Sequence, residues 1–455
     1  MKVCKFGGTS VASAEQIKKV AAIVRADPTR KFIVVSAPGK RFDSDKKVTD
    51  LLIELADAVL RKEEVEIKLN YVLERYKEIA TGLDLEQTIC EVIEEDLRLR
   101  ISQDQTNVEL FIDTIKASGE DNNAKLISTY FTSIGLSAQY ASPKTTGLVI
   151  HDFPERATAL PEAYENLSKL KHVSEIIVFP GFFGYTKGGL LRTFERGGSD
   201  ITGSILAASV QAEMYENFTD VDSVFCANPK VVNSPVEIEE ITYREMRELS
   251  YAGFSVFHDE ALMPVYKAGI PVCIKNTNNP SASGTKIVSE RKANHRPVTG
   301  ISADSGFSIL YVSKYLMNRE IGFGRKLLQI LEEEHISYEH TPSGLDDISV
   351  IFRSHYLTPE KENRILTRVK EELHADDVHF RHEFSMIVLV GEGMNNSTGL
   401  AARAATAISR TGANIEMINQ GSSEVSLSFG VHKSNENKIL QELYTEFFAP
   451  VSIKY

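Results

Sequence analysis

Lys5 stands directly before a glycine pair in the run Lys5-Phe6-Gly7-Gly8-Thr9-Ser10, and an amphipathic stretch, VASAEQIKKVAAIV, follows it. Adjacent glycines let backbone N–H groups converge on an anion, and a helix start adds partial positive charge behind them. The lysine can place an ammonium on the same anion. A second run of this kind, Arg196-Gly197-Gly198-Ser199-Asp200, opens the small-residue stretch ITGSILAASV. Its arginine offers a planar fork suited to a carboxylate or phosphate. Ser199 or Asp200 can cap the helix, and Asp200 can also hold a lysine in place. Two glycine-rich helix starts, each with its own cation, fit phosphoryl transfer, where catalysis is mostly positioning and charge neutralisation. A third run, Thr219-Asp220-Val221-Asp222 and then Asn228-Pro229-Lys230, has the character of a loop that grips a nucleotide. Each run has a plainer reading as an ordinary turn or cap.

Other chemistries lack their signatures. There is no GxxxxGK[ST] loop, no protein-kinase motif set and no GxGxxG. His374, His379 and His382 lie in HADDVHFRHE without an H-E-x-x-H spacing, so no metal site is expected there. Cys4, Cys90, Cys226 and Cys273 are far apart and form no C-x-x-C, which points to neither a disulfide framework nor a zinc knuckle. With 51 basic against 63 acidic residues the net charge is −12, which argues against nucleic acid or an anionic membrane as the main partner. A small anion in one locally basic pocket remains compatible with it. The start of the chain has no signal-peptide core, and no apolar run is long enough to span a bilayer, so a cytoplasmic protein is expected.

These residues need a frame to hold them. At 455 residues, 42% hydrophobic and 25% charged, the chain reads as an ordinary soluble protein of two or three domains. KFIVVSAPG reads as a buried strand running into a turn, and residues 47 to 116 as almost continuous helix broken near Thr81-Gly82. LVI (148–150), EIIVFPGFFGY (175–185) and PVCIKNT (271–277) read as further strands. Strands separated by helices predict an α/β fold, a mostly parallel sheet sandwiched by helices, with ligands at the C-terminal ends of its strands.

After SGTKIVSERKANHRPVTG the texture changes to an internal repeat. The segment from Phe307 and the segment from Phe384 align without a gap, and Met317/Met394, Asn318/Asn395, Gly322/Gly399, Glu339/Glu416, Gly344/Gly421 and Phe352/Phe429 coincide. Each copy reads strand, polar turn with glycine, helix, strand, glycine turn, strand: a small α+β unit of the split β-α-β kind. Two copies are expected to pack side by side, either around a ligand or as a dimerisation module alone.

In order along the chain, KFGGTS, VVSAPG with Thr49-Asp50, SGE (118–120), PGFFG (180–184), RGGSD (196–200), TDVD (219–222) and the repeat resemble the aspartate kinases of the amino-acid kinase family, with tandem C-terminal ACT domains. The resemblance covers essentially the whole chain. It implies a catalytic domain over 1–298 with a helical substrate-side insertion at about 51–117, and ferredoxin-like ACT domains over 303–380 and 381–455 that share strands. The implied reaction is phosphorylation of the β-carboxylate of L-aspartate by ATP with Mg²⁺, giving 4-phospho-L-aspartate at the head of lysine, threonine and methionine biosynthesis. That nucleophile is already an anion at neutral pH, so no general base is required.

By resemblance, Lys5 is the charge on the phosphates beside Phe6, Gly7 and Gly8 form the oxyanion cradle, and Asp200 organises Lys5 and the substrate. Arg196 with Ser199 clamps a substrate carboxylate, Glu120 receives the α-ammonium, and Ser36 and Thr49 help to seat aspartate. Thr219, Asp220, Phe225 and Lys230 belong to the nucleotide loop. Ser36 and Thr49 also read as plain turn residues, and Glu120 as an exposed helix-start carboxylate. Met317, Glu320, Gly322, Phe323, Tyr338, Glu339, Ser343 and Asp346 mark an effector site in the first repeat copy, for lysine or threonine. A homodimer or dimer of dimers through the ACT units is implied as well.

The sequence departs from the family in two places. The usual GAKVLHP segment reads GFSVFHD, which puts Ser255 at the position of a lysine, with Lys230 or Lys275 as substitutes. Phe225, Asn228 and Lys230 stand where Tyr, Asp and Arg are usual. Ser255 supports an alternative, an amino-acid sensor with impaired catalysis. A family kinase acting on glutamate or a nucleotide is disfavoured by the SGE segment and the tail. No dinucleotide fingerprint follows the repeat before Tyr455, so no fused homoserine dehydrogenase is expected.

Overall fold

The computed structural model describes residues 1–151, 158–194, 197–254, 259–291, 296–421 and 423–449. These group into two compact units. The first holds the described residues of 1–224, 237–246 and 255–291. Its eight-stranded sheet runs in the order β10-β12-β11-β7-β1-β2-β4-β3. The strands are β1 (Lys2–Phe6), β2 (Arg30–Val35), β3 (Ala138–Tyr140), β4 (Ile176–Pro180), β7 (Met214–Thr219), β10 (Glu240–Thr242), β11 (Val272–Asn276) and β12 (Thr285–Val288). All neighbours are parallel except β11 and β12. The chain also forms a hairpin of β5 (Phe183–Tyr185) and β6 (Leu191–Thr193), and the short strands β8 (Val224–Phe225) and β9 (Glu237–Ile238).

Alternation along the central strands decides which side chains meet which helices. Cys4, Phe6, Ile33 and Val35 pack into one core with α1 (Ala14–Ala26), α2 (Val48–Arg61), α3 (Val65–Gly82), α4 (Thr88–Ile101) and α5 (Val108–Ser133). Val3, Lys5 and Val34 alternate to the other face. After the short helices α6 (Pro143–Thr146) and α7 (Pro161–Ser168), α8 (Gly198–Val210) packs there. Its small residues permit the close approach: a Cβ on Gly203 would come within 2.6 Å of the Tyr215 hydroxyl oxygen.

Three expectations need correction. Besides the break expected near Thr81-Gly82, which falls at 83–87, the helical stretch breaks at 62–64 and 102–107, and its last helix runs to Ser133. LVI makes only isolated bridges (Val149 to Tyr185, Ile150 to Ala159), and the edge strand is Ala138–Tyr140 instead. Phe182, at φ 76°, breaks 175–185 into β4 and β5. Left-handed backbone at a phenylalanine is what pattern reading misses.

The second unit holds the described residues of 225–236, 247–254 and 292–455. After α9 (Tyr243–Tyr251) and α10 (Met263–Ala268) in chain order, its sheet runs β14-β13-β15-β17-β16. The members are β13 (Gly300–Ser313), β14 (Asp347–Arg353), β15 (Asp377–Val390), β16 (Met417–Gln420) and β17 (Ser426–His432). Phe307 pairs across with Phe384, its own repeat equivalent, so the copies meet about a local twofold axis and each long strand serves both. Each copy adds a second helix: α11 (Phe323–Glu333) is followed by α12 (Pro359–Glu372), and α13 (Leu400–Arg410) by α14 (Glu436–Phe448). In the first copy the middle strand is reduced to two bridges, His340 to Ile351 and Ser343 to Ile348. No helix among the described residues is long and apolar enough to cross a membrane.

Candidate active site

β1 is flanked by β2 on one side and β7 on the other, which makes the ends of these strands the topological switch point where open α/β sheets bind ligands. Backbone hydrogen bonds stitch that rim. Gly7 N donates to Phe218 O (3.1 Å), Ser36 N to Phe6 O (3.1 Å), Gly181 N to Val35 O (3.0 Å) and Thr277 N to Thr219 O (2.9 Å). The glycine turn enters a 3₁₀ turn, Gly8–Val11, and Ser10 Oγ meets Thr277 Oγ1 at 2.7 Å. Thus the first glycine run, the PG loop after β2 and the start of the third run share one edge.

Lys5 lies on the α8 face of β1, and its Nζ is 2.6 Å from Asp200 Oδ1. Asn217, opposite Lys5 in the parallel register, donates Nδ2 to the same oxygen at 2.8 Å. Both partners are nearly buried (Lys5 8%, Asn217 3% exposed), and Asn217 Oδ1 has no hydrogen-bond partner among the described residues. Gly197, at φ 76°, turns the chain into α8 through a conformation that favours glycine, which brings Ser199 and Asp200 into the first turn. Ser199 is buried against Gly181, whose Cβ would lie 2.5 Å from Ser199 Oγ.

Glu120 is buried in the middle of α5, not at an exposed helix start. Burial pushes its carboxyl up to about 8, opposed by a hydrogen bond from the Ala37 backbone and by Lys116. Its Oε2 has no hydrogen-bond partner among the described residues. Ala37 links it to the glycine turn, because a Cβ on Gly8 would lie 3.2 Å from Ala37 O. Asn123 Nδ2 fixes the Ser36 carbonyl at 2.6 Å, and Val48 N donates to Pro38 O at 3.0 Å, setting half-buried Thr49 in the first turn of α2. One neighbourhood therefore holds Gly8, Ser36, Thr49 and Glu120.

Thr219 Oγ1 donates to Asp220 Oδ1 (3.2 Å), and Asn276 Nδ2 to Asp222 Oδ1 (2.8 Å). Phe225 and Lys230 lie in the second unit, half-buried and exposed, with Lys230 N bonded to Asn228 Oδ1 at 3.0 Å. Lys275 Nζ donates to Ala282 O (3.0 Å). Arg196 and Ser255 lie outside the described residues. Asn217 and Asn276 escaped the sequence reading. Each is one asparagine in a strand, and only register aligns it with its partner.

In the second unit the turn around Met317 meets the turn around Asp346. Asn318 N donates to Leu345 O (3.1 Å) and Leu316 N to Asp346 Oδ1 (2.8 Å), beside buried Met317 and Phe323. Glu320 pairs with Lys314 and Lys326, whose bonds hold its carboxyl below the usual range. Gly322 is the left-handed residue before α11, and Ser343 bridges to Ile348. Tyr338 is exposed, while Glu339 bonds Ile351 O through its N–H (2.7 Å) and lies 3.5 Å from Arg353, farther along β14 than the Asp346 turn. Among the described residues no group of three or more His, Cys, Asp or Glu forms a metal-binding cluster.

Residues 1–276 match the model of the amino acid kinase family, and residues 387–447 that of the ACT domain. The chain is 55% identical over 453 residues to Aspartokinase 3 of Bacillus subtilis, covering 100% of each. It is 27% identical over 458 residues to the chloroplastic Aspartokinase 1 of Arabidopsis thaliana, covering 98% of this chain and 80% of that one. Among solved structures, the aspartate kinase of Clostridium acetobutylicum superposes with a TM-score of 0.88 at 35% identity, covering 98% of this chain and 100% of that one. E. coli aspartokinase III, solved with aspartate and ADP, shares the fold at a TM-score of 0.78 and 23% identity, covering 98% and 100%.

Proposed function

The chain belongs to the amino acid kinase family, and on that premise we propose that it transfers the γ-phosphoryl group of ATP to the β-carboxylate of L-aspartate. The observation that carries this reading is the pairing of Lys5 with Asp200 at a glycine turn that adjoins, through Ala37, a buried carboxyl with an unpartnered oxygen. A phosphate site and an ammonium receptor on one strand rim suit an amino-acid substrate and a nucleotide.

Repulsion between a carboxylate and the γ-phosphoryl group is the barrier that the site must relieve. Lys5 supplies a fixed ammonium, held by an Asp200 that Asn217 holds in turn. Gly7 and Gly8 offer backbone N–H groups to the phosphates. Glu120, with Ser36 and Thr49, seats the α-ammonium end, and Arg196 with Ser199 grips a carboxylate. Thr219 and Asp220 contact the nucleotide. Asp200 Oδ1 takes both Lys5 and Asn217, whereas Oδ2 takes no hydrogen bond from a described residue. That free oxygen fits Asp200 as the residue that would hold a Mg²⁺ brought in with the nucleotide, which would supply further charge neutralisation.

The catalytic domain extends over 1–298, with ACT domains over 303–380 and 381–455. The enzyme acts in the cytoplasm as a homo-oligomer whose first ACT copy binds lysine or threonine. The test is ADP release with aspartate, with glutamate and with neither, paired with capture of the acyl phosphate by hydroxylamine. Aspartate-dependent ADP and hydroxamate together are expected. ADP release independent of aspartate overturns the reading.

A further inference from the structure

Arg75 lies on α3, a helix that contributes no residue to the proposed substrate contacts, yet its guanidinium is buried against the loops that do. Nη1 is 2.5 Å from Asp45 Oδ2, and Nη2 donates to Gly39 O at 2.9 Å and more weakly to Ala12 O at 3.4 Å. Both side chains of the Arg75–Asp45 pair are almost fully withdrawn from water (6% and 9% exposed). Asp45 is also held by Arg41, through its backbone N–H (2.9 Å) and through Nε (2.8 Å), and Arg41 in turn reaches Glu78 on α3. The next residue of α3, Tyr76, donates its hydroxyl to Gly119 O at 2.8 Å, directly before Glu120.

We propose that Arg75 is a positioning residue that clamps the loop between Ser36 and Thr49 onto the glycine turn, setting the aspartate pocket without touching substrate. Its three acceptors sit just past Ser36 (Gly39), just before Thr49 (Asp45) and just past Gly8 (Ala12). The two loops are in backbone contact, with Gly39 N on Gly8 O at 2.9 Å. Among the described residues, Arg75 is the only buried side chain bonded to Asp45, in a loop whose Lys40, Arg41, Phe42, Asp43, Ser44, Lys46 and Lys47 are exposed. A planar fork that meets a carboxylate with one nitrogen and a carbonyl with the other cannot be replaced by lysine.

The inference rests on the aspartate kinase reading, and its test separates the two. In the full chain, Arg75→Met keeps the apolar stem and removes the fork. The aspartate KM is expected to rise and kcat to fall, each by about tenfold or more, since small misplacements of positioned groups carry such costs. ADP affinity should stay within about twofold, because Arg75 bonds the substrate loop more tightly than the glycine turn. Tryptic cleavage after Lys40, Arg41, Lys46 or Lys47 should accelerate by about tenfold as the loop opens. Asp45→Asn should give the same pattern, and the double variant should be no worse than Arg75→Met. A folded Arg75→Met enzyme with parental aspartate KM and kcat overturns the proposal, even if its melting temperature falls. If Arg75→Met does not fold, parental kinetics in Asp45→Asn overturn it instead. If the parent chain releases no ADP with aspartate, the functional reading fails. Unchanged tryptic rates in Arg75→Met would then overturn the clamp as well.

Discussion

Lys5 Nζ and Asp200 Oδ1 are 2.6 Å apart, joining the central strand of the sheet to the first turn of α8. The pair forms because alternation turns Lys5 to the α8 face, and because Gly197 lets the chain enter the helix with Asp200 aimed back at the strand. A carboxylate so engaged fixes an ammonium in place before any phosphate arrives, and such preorganisation is what electrostatic catalysis requires.

Lys5→Ala should therefore lower kcat by about two to three orders of magnitude. The fold should survive, as judged by far-UV circular dichroism. Turnover near the parental value would remove Lys5 from the mechanism.

If Glu120 receives the α-ammonium as proposed, aspartate use should be pH-dependent. With its carboxyl at about 8 in the ligand-free protein, it is protonated at neutral pH, whereas an α-ammonium favours the ionised form. Binding of aspartate at pH 7 should release close to one proton, read by calorimetry in buffers of different ionisation enthalpy. The aspartate KM should fall as pH rises towards 8 and then level. Folding has its own dependence. Between the ordinary glutamate value of 4.5 and about 8, the native state holds a proton that the unfolded chain has lost. Ligand-free stability should thus decline with rising pH across that window, and Glu120→Gln should remove this decline.

Asn217→Ala takes one of two donors from Asp200 while leaving Lys5. We expect kcat to drop by about tenfold with ATP and aspartate KM nearly unchanged, because partners that orient a contacting residue typically matter at that level. A change confined to ATP KM would assign Asn217 to nucleotide binding instead.

Gly39→Ala probes the close approach of the two loops. A Cβ there would lie 2.5 Å from the Gly8 carbonyl carbon, in backbone that cannot give way as a side chain would. The variant should lose about 1–3 kcal/mol of stability in urea unfolding and most of its activity. A parental midpoint and turnover would mean that the loops separate freely.

Regulation should depend on the first repeat copy. If lysine or threonine, alone or together, inhibits turnover, Glu339→Ala should relieve inhibition by about 5–150-fold in effector affinity while uninhibited turnover stays near normal. Inhibition that survives unchanged would move the effector site to the second copy, near Gln420 to Glu424. Insensitivity to both amino acids would end the sensor reading of the tail.

The glycine runs with their cations, the parallel α/β order and the gapless repeat were legible in the sequence because each is local: a spacing, a composition or a self-similarity that the chain carries within a few residues. Lys5 and Asp200 could be named from their own motifs. The tertiary structure alone decided what such signals do not encode. Parallel register set Asn217 beside Lys5, from strands distant in the chain. Burial in the middle of α5 turned Glu120 from an ordinary carboxylate into one that holds its proton at neutral pH. Packing of α3 against the loop after β2 gave Arg75 its three acceptors. The tertiary structure also holds a left-handed Phe182 and places the edge strand at Ala138–Tyr140, where the sequence suggested a strand at 148–150. These depend on which distant segments meet, and the free energy of those meetings outweighs the local preferences that a sequence displays.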